Sequence, residues 1–402
     1  MTLAAFLPSN KINGKSLWNQ GLVFLFIATF FLDGVTRYKH AIEILMLITT
    51  LVYFIKNPMT YVQIFKNYIF YSIALLSVAL LYSVFISPDI AVSFKEFNNT
   101  VLKGFLAFTI IIPVLLKEES RETIAKLILF GLIASLCLRS TAELMLYYQD
   151  YTQGVLPFSN YNHRHISDSL VFLLPALLNI WLFKSHKYRL IFIFISCIYL
   201  FLLLGTLSRG AWLAVLIVSL LWVILNRQWQ LLTVGALICV VTVAILTLHK
   251  QPAGSKLLYK LQQTDSSNRY DNGTQGSALS LILENPIKGY GYGDDIYHNV
   301  YNSRIVDYPN WVQKRSIGPH NILLYIWFGA GIAGVTALIY VYGAILTATI
   351  RKSVHNFEAS PYNINLMMLL SLVGFFLIRG NFEQVELDRI GIITSLLIAY
   401  KK

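Results

Sequence analysis

The sequence predicts an all-α polytopic membrane protein of about twelve transmembrane helices. The first observation is composition: 56% of the 402 residues are hydrophobic and only 13% are charged, unlike a water-soluble globular chain. The second is that apolar runs of about 20 residues, the length that crosses a bilayer, recur along almost the whole chain. The third is a single long polar segment, residues 249–319, which predicts one large and partly helical extramembrane loop.

Twelve apolar runs are the candidate spans. In chain order they cover residues 17–36, 38–55, 68–87, 98–116, 127–148, 166–183, 190–208, 209–226, 231–248, 321–350, 362–378 and 388–400. Two pairs of runs abut closely, so the count could be eleven or thirteen. The chain then divides into residues 1–248 with nine spans, the loop 249–319, and residues 320–402 with three spans. No run resembles a cleaved signal peptide, so the first span is expected to stay in place.

The distribution of Lys and Arg in the short loops predicts the orientation of the chain. With the N-terminus inside, the short loops on that side hold fifteen Lys or Arg residues, against nine on the outer side when the long loop is left out. Both termini are therefore expected inside, with the long loop on the outer face. The formal net charge of +12 suits contact with anionic lipid head groups, and no nucleic-acid-binding motif is present.

Two loops on the outer face contain features that a simple connection between helices does not require. Within residues 249–319, the stretch ALSLILENPIKGYGYG predicts an amphipathic helix followed by a turn rich in Pro and Gly, and hence a folded cap. The shorter loop YQDYTQGVLPFSNYNHRH mixes aromatic rings, amides and histidines. Aromatic faces beside amides suit a carbohydrate, although an interfacial belt of aromatic residues has the same composition.

Two arginines on the outer face are candidate anion ligands. Arg209 lies in LLLGTLSRGAWLAV, between two apolar runs, and Arg269 lies in SSNRYDNGTQG within the long loop. A guanidinium binds a phosphate through two parallel hydrogen bonds, and partial exclusion of water strengthens the contact. An arginine at a helix end is more often an interfacial anchor. Two of them on one face favour an anionic ligand, and the phosphates of a lipid-linked pyrophosphate would lie at this depth.

His320 is the candidate proton acceptor. It follows Pro319, which restricts the backbone, and precedes Asn321, whose amide can orient a neighbour or contact a substrate. A neutral imidazole outside the membrane can accept a proton at about pH 7, although a histidine at a helix start is more often a capping or interfacial residue. The small residues of FGAGIAG, later in the same run, predict close approach by another helix.

Four further basic residues on the outer face are expected to contact a substrate. Lys103 lies in the fourth apolar run, and Arg139 lies in the fifth, where Glu143 four residues later could pair with it. His163 and Arg164 belong to a basic cluster in the second outer loop. These residues complete the predicted substrate-binding set.

No metal site is predicted, although two patterns raise the question. His163 and His165 form a His-x-His pair, but no carboxylate or cysteine stands at a suitable spacing to complete a ligand set. Asp294 and Asp295 are adjacent in a glycine-rich stretch, where solvated turn residues are the commoner role. Arginines rather than a bound cation would then balance the charge of an anionic ligand.

Three motifs, taken in order, give the chain a resemblance to a known family. His320 and Asn321, followed by Gly331 and Gly334, resemble the signature of the O-antigen ligase and polymerase superfamily of bacterial envelope enzymes. The stretch TLSRGAWLA is similar to the mid-chain arginine motif of that superfamily, and ENPIKGYGYG is similar to the turn after its loop helix. The number of spans and the single large loop before the histidine helix match as well, so the resemblance covers most of the chain.

The resemblance implies a GT-C-like fold in the bacterial inner membrane, with both termini cytoplasmic and the active site periplasmic. A glycan would pass from undecaprenyl pyrophosphate to an acceptor hydroxyl, which in the ligase branch belongs to lipid A-core. Arg209 and Arg269 would bind the pyrophosphate, and His320 would deprotonate or orient the acceptor. The transfer is expected to be inverting and to need no metal or other cofactor. Arg269 stands seventeen residues before Pro286, farther than the family's loop arginine usually stands from its turn.

Other functions share some of these features. An O-antigen polymerase or a protein O-oligosaccharyltransferase of the same superfamily would carry every motif named above, although the moderate length and the lack of a large C-terminal domain favour the lipid A-core ligase. A transporter of lipid-linked oligosaccharide would also be polytopic and basic. It should show internal repeats or charges near the middle of the membrane, whereas the sequence has no clear repeat and its notable charges lie at the outer edge.

Overall fold

The structure, a computed structural model, describes residues 14–231, 233, 235, 256–257, 260, 269–351 and 359–401. Helices make up most of these residues, and no β-strand occurs among them. The α-helices, numbered in chain order, are α1 (Gly14–Thr29), α2 (Thr36–Lys56), α3 (Pro58–Val62), α4 (Tyr68–Ile86), α5 (Ile90–Phe97), α6 (Ala107–Leu115), α7 (Arg121–Thr152), α8 (Ser167–Ile180), α9 (His186–Gly205), α10 (Arg209–Leu225), α11 (Thr274–Glu284), α12 (Asp294–Arg304), α13 (Ile322–Ile350), α14 (Ile364–Ser371) and α15 (Asp388–Lys401). Shorter 3₁₀ or π-helical segments are Gln63–Phe65, Asn98–Leu106, Asn162–Ile166, Leu372–Ile378 and Arg379–Asn381.

The predicted class, a polytopic α-helical membrane protein, is confirmed. Among the described residues, seven helices are long and apolar enough to cross a membrane: Thr36–Lys56, Tyr68–Ile86, Ile90–Leu115, Arg121–Thr152, His186–Gly205, Ile322–Ile350 and Ile364–Asn381. The shorter helix α10 is apolar as well. Three of the predicted runs form helices of only 14 to 16 residues, namely α1, α8 and α15. The predicted span 231–248 lies almost entirely outside the described residues. The total of twelve spans and the GT-C-like arrangement therefore stay predictions.

Polar residues at the helix starts explain where several of the helices begin. Each accepts a hydrogen bond from a backbone N–H of the first turn, and they are Asn67, Asp89, Ser120, Asn321 and Asn363. The first N–H groups of a helix have no partner within it, and in an apolar environment an unpaired N–H is costly. These polar residues between the apolar runs therefore fix where the five helices begin.

The apolar side chains form one continuous core inside the helix bundle. Helix α13 packs along α4, α15 along α6, and α1 along α7, while α8 lies between α10 and α14. In contrast, α2 and α9 expose large apolar side chains, such as Ile55 on α2 and Phe194 on α9. Exposed apolar surface of this kind suits contact with lipid, because it would be unfavourable in water.

The described part of the long loop has a hydrophobic core of its own. Helices α11 and α12 pack around buried aromatic residues, and Phe328 of α13 completes the cluster. On the loop surface, the Glu284 carboxylate accepts hydrogen bonds from Tyr290, Tyr308 and Arg304. The predicted loop helix is present as α11, which begins at Thr274, a few residues earlier than the stretch ALSLILE.

The turn that follows α11 binds directly to α13. The helix is broken at Gly331, where φ is 60° and ψ is −158°, and the carbonyl of Gly329 accepts from the N–H of Gly291 at 2.9 Å. A Cβ at Gly331 would lie 2.0 Å from the carbonyl oxygen of Ile287, so only glycine fits there. The close neighbour of Gly329 and Gly331 is thus a loop turn, not the second helix that was predicted to approach them. The break in the helix leaves backbone carbonyls open to the turn.

Candidate active site

Three of the predicted arginines, far apart in the sequence, line one pocket of about 280 Å³. The side chains around it are Arg164, Leu207, Arg209, Gly210, Leu213, Lys260, Arg269, Tyr270, Phe382 and Glu383. Four of these are cationic and one is a carboxylate, so the pocket carries an excess of positive charge. Tyr270 and Phe382 add aromatic surface. The pocket is therefore suited to a ligand that is anionic and has apolar faces.

The chain conformation around Arg209 explains how this arginine reaches the pocket. Arg209 is the first residue of α10, and Leu207, two residues earlier, has a left-handed φ of 49°. At Gly210 a Cβ would lie 2.8 Å from the Cβ of Phe382, so the glycine allows the last interhelical connection to pack against α10. The position at a helix N-terminus adds the positive end of the helix dipole to the charge of the guanidinium.

Arg269 contacts the same connection through a hydrogen bond. Its Nη1 donates to the carbonyl oxygen of Phe382 at 2.7 Å, which holds the guanidinium at the pocket. Arg164 donates from Nη2 to Oε1 of Glu383, the next residue along. Two pocket arginines are thus held by consecutive residues of one short segment.

His320 pairs with that segment as well. Its Nδ1 lies 3.1 Å from Oε2 of Glu383, and the two side chains are 26% and 14% exposed. Because a carboxylate can only accept, Nδ1 carries the proton in the neutral imidazole, and Nε2 is then the nitrogen that can accept one. Burial would raise the pKa of Glu383, but the hydrogen bond from His320 and the charge of Arg164 outweigh it and lower that pKa to about 2.

The backbone at His320 is unusual for a residue with a side chain. Its φ is 49°, in the left-handed region, which non-glycine residues occupy rarely and mostly where surrounding contacts enforce it. Asn321 is one such contact: its Oδ1 accepts from the N–H groups of Leu323 and Leu324 at 2.9 and 3.2 Å and caps α13. Its Nδ2 donates to Asn381 at 3.2 Å. Asn321 therefore starts the helix and fixes His320 beside Glu383.

Residues 381–384, between the last two apolar runs, are the part of the site that the sequence reasoning missed. Besides the contacts already described, the carbonyl of Asn381 accepts from Gln275 of α11 at 2.8 Å, and Gln384 donates to Asp294 of α12. This segment, termed the hub, joins the loop helices to the helix bundle. One signal was present in the sequence, because RGNFEQVELDR is an acidic connection on the same predicted side as His320 and could supply its carboxylate partner.

Of the five predicted substrate-binding residues only Arg164 lines the pocket; Asn321 caps α13 instead, and the other three lie elsewhere. Lys103 lies exposed on the π-helical segment Asn98–Leu106. Arg139 and His163 are buried and form ion pairs with Glu143, so the predicted pairing of Arg139 with Glu143 is present, at 3.7 Å. The second outer loop is thus divided, with Arg164 at the pocket and His163 directed into the bundle.

Three of the candidate metal ligands, His163, His165 and Asp294, contact other side chains. In the part of the chain that the structure describes, no group of three or more His, Cys, Asp or Glu residues could hold a metal ion. Asp294 and Asp295 are exposed, as expected, but they form the first turn of α12 rather than a free turn. Acidic residues are favoured at that end of a helix by its dipole.

These features describe a polytopic α-helical membrane protein with a basic pocket and a histidine–carboxylate pair at one end of its bundle. A family model described as O-antigen ligase matches residues 190–339, a range that contains Arg209, Arg269 and His320. Over 401 residues, which are 99% of each chain, the sequence is 58% identical to the O-antigen ligase of Salmonella typhimurium strain LT2. The chain belongs to the O-antigen ligase family, and the resemblance drawn from the three motifs is confirmed.

Proposed function

We propose that the protein transfers an O-antigen glycan from undecaprenyl pyrophosphate to a sugar hydroxyl of lipid A-core, in the assembly of lipopolysaccharide. The reaction takes place at the periplasmic face of the inner membrane. The observation that carries the proposal is the meeting of Arg164, Arg209 and Arg269 in one pocket whose carboxylate, Glu383, also holds His320. In this proposal residues 1–248 and 320–402 form the membrane part, and residues 249–319 form a cap beside the pocket.

The arginines and Lys260 bind the two phosphates of the donor. Each guanidinium offers a planar fork of N–H groups that matches two phosphate oxygens, and a partly enclosed pocket strengthens these contacts relative to water. Arg164 and Arg269 are held by the hub, while Arg209 is held by the start of α10. Their guanidinium groups are therefore placed before the donor arrives, which lowers the cost of ordering them on binding.

His320 acts on the acceptor. Its Nε2 removes the proton of the acceptor hydroxyl while the oxygen forms a bond to the anomeric carbon of the glycan. The bond from that carbon to the pyrophosphate oxygen breaks, and the electron pair leaves with undecaprenyl pyrophosphate. Attack from the face opposite the leaving group inverts the anomeric configuration. Glu383 stabilises the imidazolium that forms, and the pocket cations stabilise the leaving group without a metal or other cofactor.

Two observations favour this function over the alternatives. The 58% identity with an O-antigen ligase over 99% of both chains supports a ligase rather than a polymerase or a protein O-oligosaccharyltransferase. The His320–Glu383 pair supports a transfer reaction, since its carboxylate lines the cationic pocket and so places a proton acceptor beside the proposed donor site.

Complementation tests the proposed function. The gene is expressed in one strain that lacks its O-antigen ligase and in another that lacks its O-antigen polymerase, and lipopolysaccharide is displayed on a gel. A restored ladder only in the ligase-deficient strain is the expected result. A restored ladder only in the polymerase-deficient strain would show that the protein is a polymerase and not a ligase. No restoration in either strain, with the protein present in the membrane and a donor glycan of matching structure supplied, would contradict the proposal.

A further inference from the structure

A buried cluster of charged residues lies outside the pocket. The Glu143 side chain of α7 is fully buried, with Oε1 2.7 Å from His163 Nδ1 and Oε2 3.3 Å from His165 Nε2. Arg139, one turn earlier on α7, lies 3.7 Å from Glu143 Oε2 and 2.6 Å from Asp33. One carboxylate therefore faces two histidines and an arginine.

Such a cluster needs an explanation other than stability. Removing charged groups from water costs several kcal/mol per ion, and a buried ion pair is often no more stabilising than apolar side chains of the same volume. The best attested use of buried ionic groups is to fix one geometry among several.

Glu143 fixes the 3₁₀ turn Asn162–Ile166 at two points. His163 and His165 stand on either side of Arg164, and both reach the same carboxylate. A turn held by one contact could rotate about it, whereas two contacts from flanking residues remove that freedom. His165 also places Nδ1 2.9 Å from the carbonyl of Asn162, so both of its ring nitrogens face acceptors. The Glu143 carboxylate correspondingly raises the pKa of His165.

The residue between the two histidines belongs to the pocket. Arg164 lines it and donates from Nη2 to Oε1 of Glu383. Oε2 of the same carboxylate lies 3.1 Å from His320 Nδ1. A continuous set of contacts thus runs from Glu143 through the turn and Arg164 to the proton acceptor.

We propose that Glu143 is a positioning residue of the glycan transfer: it holds the turn that carries Arg164, and through Arg164 it sets the pocket wall and the His320–Glu383 pair. Glu143 touches neither substrate. This inference rests on the proposed function, because Arg164 matters only if the pocket binds the donor.

The first test is Glu143→Gln, which keeps the shape of the side chain and removes its charge. Initial transfer rates are measured against donor concentration, with matched amounts of protein in the membrane. We expect kcat/KM for the donor to fall at least about tenfold, the effect of losing one hydrogen bond to a charged group. Glu122→Gln is the matched control, since Glu122 lies exposed on the same helix and pairs with Lys126. It should retain wild-type rates.

A second variant guards against misfolding of the first. His165→Ala removes one of the two contacts from a side chain that is 44% exposed, so the bundle should still fold. We expect a smaller loss of kcat/KM than in Glu143→Gln. Wild-type rates in both variants would overturn the proposal.

A double-mutant cycle shows whether Glu143 acts through Arg164. Once Arg164→Ala has removed the positioned side chain, adding Glu143→Gln should lower the rate less than about twofold further. Multiplicative losses would mean that Glu143 acts independently of Arg164, and would overturn this inference while leaving the proposed function intact. Wild-type kinetics in Arg164→Ala alone would overturn the inference and would also count against the pocket as the donor site.

Discussion

Two histidine–carboxylate pairs with similar contact distances stand in different surroundings. The His320–Glu383 side chains are 26% and 14% exposed, and Glu383 lines the pocket, whereas the His163–Glu143 side chains are 6% and 0% exposed. Both ring nitrogens of His163 face carboxylates, since Nε2 lies 3.4 Å from Asp150. His163 also stacks on the ring of Tyr147 at 3.5 Å. Exposure, and a second ring nitrogen with no partner among the described residues, therefore distinguish the proton acceptor from a positioning contact.

The largest expected effect is at the exposed pair. His320→Ala should lower glycan transfer at least about 100-fold at equal protein level, the loss expected when a general base is removed. His40→Ala is the control, because His40 lies exposed on α2 and pairs with Glu43 at 3.0 Å. It should transfer at the wild-type rate. Near-normal transfer by His320→Ala would show that this residue is not the proton acceptor. The two histidine–carboxylate pairs would then not differ in function as described above.

The partner of His320 should matter less than His320 itself. Glu383→Gln keeps a hydrogen-bond acceptor near Nδ1 but removes the charge that stabilises the imidazolium and holds Arg164. We expect kcat to fall roughly tenfold, as for the loss of one charge-assisted hydrogen bond. The measurement is kcat at saturating donor and acceptor. A variant with unchanged kcat would show that the carboxylate is only a structural contact.

The ionisation of Glu383 should affect how the stability of the folded protein depends on pH. The pKa of Glu383 is lowered from 4.5 to about 2, so the ionised form stabilises the folded state above about pH 4.5. That contribution is lost as the pH falls through about 2. The difference in melting temperature between the wild type and Glu383→Gln should be present at about pH 5 and shrink as the pH falls below about 4.5. A difference that disappears already near neutral pH would contradict the assigned ion pair.

The smallest expected effect is that of metal removal. Because arginines balance the charge of the pyrophosphate, the purified protein should retain its transfer rate in excess EDTA. The matched control is the same assay after addition of Mg²⁺ or Mn²⁺. Loss of activity in EDTA with recovery on adding either ion would assign a catalytic cation, and Asp294 and Asp295 would then be the residues to test first.

The sequence predicted the membrane helices, the loop helix and the arginines, because each leaves a local pattern of polarity, spacing or motif. It did not predict the hub, because those contacts join residues that are distant in the chain. Glu383 stands 63 residues from His320 and 219 from Arg164. For the same reason His163 was placed with the substrate-binding residues, although its neighbour Arg164 alone reaches the pocket. Contacts of this kind depend on how the helices pack, which local patterns do not specify.

The most direct test of the donor pocket is Arg209→Lys, measured as initial transfer rate against donor concentration with saturating acceptor. Lysine keeps the charge but loses the planar fork, so the KM for the donor should rise about tenfold. Arg227→Lys makes the same exchange just beyond the other end of α10, at an exposed position, and should behave as the wild type. Wild-type kinetics in Arg209→Lys would contradict pyrophosphate binding by this arginine. A defect seen only at limiting acceptor would assign it to the anionic lipid A-core instead.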